Sequence, residues 1–117
     1  MTAWRTKSPF NNKTPKYGNK KTIVDGIEFD SQKEAKHYEY LRMLRTIGEI
    51  SALERQKTFR LEVNNQLICK YIADFAYIKN GNEIIVDVKS NYTRKLPVYS
   101  IKKKLMKAIY NIDILEV

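Results

Sequence analysis

Apolar and polar positions alternate along this chain with the periods of two kinds of element. From Tyr71 to Ser90 the sequence reads YIADFAYIKNGNEIIVDVKS, two β-branched and aromatic runs flanking Asn80-Gly81. That dipeptide supplies the two positive-φ residues of a type I′ turn, so a hairpin is predicted. With Lys79 facing Asn82, stepping away from the turn along both strands brings Asp74 opposite Asp87. Lys89 follows on the same face, because side chains alternate along a strand. Ile84, Ile85, Val86 and Val88 predict that the second strand is buried on both faces.

Elsewhere the pattern predicts a small hairpin over Thr22 to Phe29, with Asp25-Gly26 at its turn. Asp30 to Ile47 reads as a helix closed by Gly48. Its Ser31-x-x-Glu34 start fits a capping box, and Glu34, His37, Leu41, Leu44 and Gly48 form one row that should face the sheet. Ile50 to Leu53 and Thr58 to Val63 are short strands, and Asn64-Asn65 marks a turn. Arg55 and Gln56 between those strands fit a ligand contact or plain surface equally well. Ser90 to Pro97 reads as a polar, basic loop. A second helix, Val98 to Tyr110, should turn Val98, Ile101, Leu105, Ala108 and Ile109 inward. Lys103, Lys104 and Lys107 fall on its other side. Lys102 lies within the apolar arc, where it either snorkels outward or points over the sheet toward the carboxylates. Asn111 then turns the chain into a last strand, Ile112 to Val117, parallel to its partner. The order helix, three strands, helix, strand gives an α/β (α+β) fold with a central mixed sheet flanked by two helices.

Composition narrows the partners. With 117 residues, one domain is expected at 22–117, preceded by a flexible basic arm at 1–21 that has no acidic residue. Twenty-two basic against 13 acidic residues leave a formal charge of +9, which favours polyanions, nucleic acid ahead of anionic membrane. No apolar run reaches the roughly 18 residues of a membrane span, and no signal-peptide core is present. A soluble, cytoplasmic protein is therefore expected. The single cysteine, Cys69, has no internal disulfide partner and reads as an ordinary strand thiol.

The opposed aspartates change the picture further. Directly opposed residues have β-carbons about 5 Å apart, and two carboxylates there repel by roughly 3 kcal/mol at an effective dielectric near 20. A cation should lie between them: Lys89 supplies one charge, and Mg2+, which prefers carboxylate oxygen, would supply two. The plain alternative is a pair of solvated aspartates. Glu34 also has two readings, a capping-box acid or an inward acid that needs a cation. Glu34-x-x-His37 resembles half of a di-iron helix motif, but one histidine in the whole chain excludes such a centre. His37 is expected to pack beside the site.

Glu34, Asp74 and Asp87-Val88-Lys89, in this order of elements, resemble the signature of the PD-(D/E)XK nuclease superfamily, which has a restriction-endonuclease-like αβββαβ core. KYGNKKTIVDGIEFDSQKEAKHYEYL, YIADF and the closing helix and strand resemble small phage and prophage proteins of a domain-of-unknown-function family placed in that superfamily. Ser90 departs from these relatives, which have Gly after the lysine. The resemblance implies a DNA endonuclease in which Glu34, Asp74, Asp87 and the Val88 carbonyl hold Mg2+, with Mn2+ as a substitute. Lys89 would position the attacking water or offset charge on the phosphorane. Lys16, Lys20, Lys21, Arg94, Lys95, Lys102, Lys103 and Lys107 would hold the DNA backbone. A homodimer would suit symmetric cutting of a duplex or junction. The other class of reading is a catalytically silent DNA-binding or partner-binding protein that keeps the fold.

Overall fold

A computed structural model describes residues 21–117. The basic arm, including Lys16 and Lys20, lies outside the described residues except for Lys21. Backbone packing groups the chain into one unit ending at Lys36 and a second from His37 to Val117.

In the first unit, β1 (Thr22–Val24) and β2 (Ile27–Phe29) pair antiparallel, Val24 facing Ile27. Asp25 and Gly26 take φ of 55° and 74°, the left-handed pair that the sequence predicts for this turn. Lys21 Nζ stands 3.9 Å from both Glu28 and Asp30. Helix α1 (Gln32–Thr46) begins here. Ser31 Oγ accepts the Glu34 N–H at 3.1 Å, so the serine half of the capping box forms.

The second unit holds the rest of α1 and a four-stranded sheet. The helix closes with Gly48 at φ 85°, where Gly48 N–H donates to the Arg45 carbonyl and Glu49 N–H to that of Leu44. This is a Schellman closure, and it needs the positive φ that glycine tolerates. Strands β3 (Ser51–Val63), β4 (Gln66–Lys79), β5 (Asn82–Asp87) and β6 (Leu115–Glu116) lie in that order across the sheet. The first two pairings are antiparallel and the β5–β6 pairing is parallel. Between β5 and β6 run α2 (Asn91–Arg94) and α3 (Pro97–Tyr110), the crossover that a parallel pair requires. The fold is thus mixed α/β with the predicted order of main elements.

The two sheet faces are filled differently. On one, the His37 and Tyr38 rings of α1 lie 5.8 and 6.3 Å from the Phe75 ring. On the other, Tyr99 and Met106 of α3 close a core with Phe59, Leu61, Tyr71, Ala73, Ala76, Ile85 and Ile114. Cys69 packs at the edge of this cluster as a free thiol.

Four expectations are corrected. The two short strands before Asn64 are one 13-residue strand, β3. Its pairing with β4 shifts between Ser51 and Glu54, where Ala52 takes a positive φ, and again between Leu61 and Glu62, but holds one register through the charged stretch. The loop after Ser90 contains α2, capped by a reciprocal Ser90–Thr93 box. Helix α3 keeps only part of the predicted wheel: Leu105 and Ile109 pack against the core as expected, but Tyr99 and Met106 are the buried residues, while Val98 and Ile101 are 64 % and 57 % exposed. The last strand is only Leu115–Glu116, after Asn111 ends α3 in the left-handed conformation at φ 58°.

Candidate active site

The turn at Asn80-Gly81, with φ of 53° and 80°, fixes the register of β4 on β5. Lys79 faces Asn82 and the ladder runs unbroken to Phe75 facing Val86. The next step sets Asp74 opposite Asp87, as the sequence predicts. There the backbone ladder is replaced by the two carboxylates. Asp74 N–H donates to Asp87 Oδ1 at 3.1 Å, and Val88 N–H donates to Asp74 Oδ2 at 2.9 Å. Each carboxylate therefore fastens the opposite strand, and two amide dipoles offset part of the repulsion that the sequence implied.

Asp87 is 2 % exposed. Its Oδ2 accepts the Tyr71 hydroxyl and lies 3.5 Å from Lys89 Nζ. Burial, and then the bond to Asp87, push the Tyr71 hydroxyl far above its usual range, so it remains a donor. Lys89 Nζ stands 4.0 Å from the centre of the Tyr99 ring, and Tyr99 donates its hydroxyl to Glu116 Oε2 at 2.5 Å. Glu116 is the register partner of Asp87 on β6. Lys89 N–H donates to the Val117 carbonyl, and Val117 N–H to that of Asp87, both at 3.0 Å. The strand bearing Asp87 and Lys89 is thus pinned from both sides.

Tyr71, Asp74, Asp87, Lys89 and Tyr99 line an open cleft of ≈ 340 Å3 with Lys70, Ile72, Leu96, Val98 and Lys102. Lys102 thus borders the cleft that the two aspartates line. Other predicted phosphate contacts have acid partners: Arg94 Nε lies 3.2 Å from Glu116 Oε1, Lys103 Nζ 3.0 Å from Glu116 Oε2, and Lys107 Nζ 3.0 Å from Asp113. Lys95 is exposed. Glu34 belongs to the unit ending at Lys36, where it is 8 % exposed in the first turn of α1. His37 packs on the Phe75 and Tyr40 rings.

Tyr71, Tyr99 and Glu116 were not singled out by sequence reasoning. Strict alternation would put Tyr71 on the face opposite Asp74. Yet Tyr71, Ala73 and Ala76 share one core cluster, so the alternation shifts phase between Ala73 and Ala76. Gln56, at φ 53°, is the residue across from this shift. A positive φ at glutamine leaves no signature in composition or periodicity.

Among the described residues, no three His, Cys, Asp or Glu side chains are gathered so as to hold a metal ion. The donor set at Asp74 and Asp87 nevertheless fits Mg2+, which commonly takes one or two carboxylates and fills its other positions with water and phosphate oxygen. Among the described residues, no helix is long and apolar enough to cross a membrane.

No curated protein and no solved structure matches this chain. A family model described as "Protein of unknown function (DUF1064)" matches residues 14–115, nearly the whole length, and the chain belongs to that family.

Proposed function

We propose that this protein is a Mg2+-dependent DNA endonuclease of the PD-(D/E)XK kind, hydrolysing phosphodiester bonds in phage DNA replication, recombination or packaging. A branched-DNA or junction resolvase is one subtype of this reading. The observation that carries the reading is Lys89 Nζ beside Asp87, which is itself hydrogen-bonded to Asp74, in an open cleft that all three line. Asp74 and Asp87 would hold the ion, with the Val88 carbonyl as a further oxygen. Bound there, Mg2+ or Mn2+ would supply Lewis acidity toward a phosphate oxygen and a more acidic water. Lys89 would hold the attacking water or meet charge developing on the phosphorane. Lys70 and Lys102, at the same cleft, would receive neighbouring phosphates without reading bases.

The test mixes the protein with labelled plasmid and branched DNA in Mg2+. Wild type should cleave, and Asp87→Asn and Lys89→Ala should bind DNA without cleaving it. Unaltered cleavage by either variant would discard this site. Glu34→Gln in the same assay decides whether the role implied for Glu34 extends to this chain. A second reading, a silent DNA-binding protein, draws on the internal bonds that both Asp87 oxygens make with Tyr71 and Asp74. DNA binding by wild type with no cleavage under Mg2+ or Mn2+ would favour it.

A further inference from the structure

We infer that Tyr99, fastened through its hydroxyl to Glu116, is a positioning residue that mounts the Lys89 amine against Asp87. The inference rests on the nuclease reading for its effect on rate, but the mount itself is a matter of geometry.

A lysine carries a compact charge on a flexible four-carbon stem, and on an open surface that stem samples many rotamers. At Lys89 the freedom is restricted from two sides. The Asp87 carboxylate lies 3.5 Å from Nζ, and the face of the Tyr99 ring lies 4.0 Å from it. The side chain is 19 % exposed, so the ammonium meets the ring's negative quadrupole with much of its water removed, the setting in which cation–π attraction is strongest.

The ring can act as a stop only if it is itself held. Tyr99 is 7 % exposed within the α3 core, and its hydroxyl donates to Glu116 Oε2 at 2.5 Å. Glu116 also receives Lys103 of α3 and Arg94 of α2, so one carboxylate ties both crossover helices to β6. Because Glu116 is the register partner of Asp87, the mount and the carboxylate it serves share one ladder. Arg94 and Lys103, expected from sequence as phosphate contacts, also fasten this mount.

Two readouts separate a positioning role from simple packing. The first is the NMR shift of the Lys89 ε-methylene in the free protein, which a ring stacked on the ammonium moves upfield. Tyr99→Phe keeps the ring but loses the hydroxyl that anchors it to Glu116, and should diminish this shift; Tyr99→Leu should abolish it. The second is the kinetic split. Tyr99→Leu should lower kcat about tenfold, the scale of a desolvated cation–π contact, with KM nearly unchanged, and Tyr99→Phe, which keeps the ring without its anchor, should recover only part of the loss. Wild-type kcat in Tyr99→Leu, or an equal loss in Tyr99→Phe, would overturn the proposal. Should Tyr99→Leu fail to fold by circular dichroism, Glu116→Ala decides, because it keeps the ring and removes its anchor. A diminished Lys89 shift in that variant supports the mount, and an unchanged shift and kcat overturn it. A wild type that shows the upfield shift but cleaves no DNA would retire the nuclease reading and leave the mount standing.

Discussion

Phe75 and Asp74 are neighbours in one strand, yet they belong to different kinds of protein interior. Around Phe75 the sheet is closed by the rings of His37 and Tyr38, an apolar face whose work is cohesion. One residue earlier, on the other face, Asp74 meets Asp87 in a cleft that Lys89 and Tyr71 also line. The alternation of a β-strand lets a single backbone serve both. The lesson is that the charged face need not stabilise itself: buried charge pairs contribute little net stability, and the aromatic face a residue away supplies the rigidity.

Substitutions can break that division of labour. Asp87→Asn should have the largest effect, lowering cleavage by about 10³-fold or more while DNA affinity, read by fluorescence anisotropy, is retained. Phe75→Ala should do the converse. Loss of a fully buried aromatic should cost about 3 to 5 kcal/mol of unfolding free energy in urea, with activity per folded molecule preserved. Tyr71→Phe sits between the two regimes, because the hydroxyl that it removes holds Asp87. A loss of about 1.5 to 3 kcal/mol is expected, accompanied by slower cleavage; stability loss alone would mark Tyr71 as packing only.

The smallest effect concerns pH. Burial works to raise the Glu116 carboxyl, but bonds from Tyr99 and Lys103 and the charges of Lys103 and Arg94 outweigh it and hold the group below its ordinary value of 4.5. A carboxyl lowered by folding stabilises the native state above its unfolded value, and this contribution is lost as pH falls through the folded one. The urea midpoint should therefore drop below about pH 4.5, and Glu116→Gln should flatten that drop.

The same contrast separates what the sequence discloses from what it conceals. The register of Asp74 on Asp87 was legible because a two-residue turn and a strict period of two leave a single solution. The α3 wheel was legible only in part: Leu105 and Ile109 pack on the core as expected, but apolar residues occur on more than one side of Pro97–Tyr110. Tyr99 is the buried one because its hydroxyl finds Glu116, a partner 17 residues away that periodicity does not see. Strand β3 was divided in the sequence by Glu54, Arg55, Gln56 and Lys57. Those charges belong to a strand at the sheet edge, where they discourage pairing with other chains. Tyr71 was missed because the alternation in β4 shifts phase just beyond it.

The crossover between β5 and β6 has a consequence for assembly in time. Hairpins close within about 1 to 10 μs, so Asp74 and Asp87 can meet as soon as the Asn80-Gly81 turn forms. Tyr99 and Glu116 arrive only when α3 docks and β6 aligns beside β5, a non-local pairing that closes more slowly. The acids should thus come together before the amine is seated, and in stopped-flow refolding the upfield signal of Lys89 should mature with the last phase rather than the first.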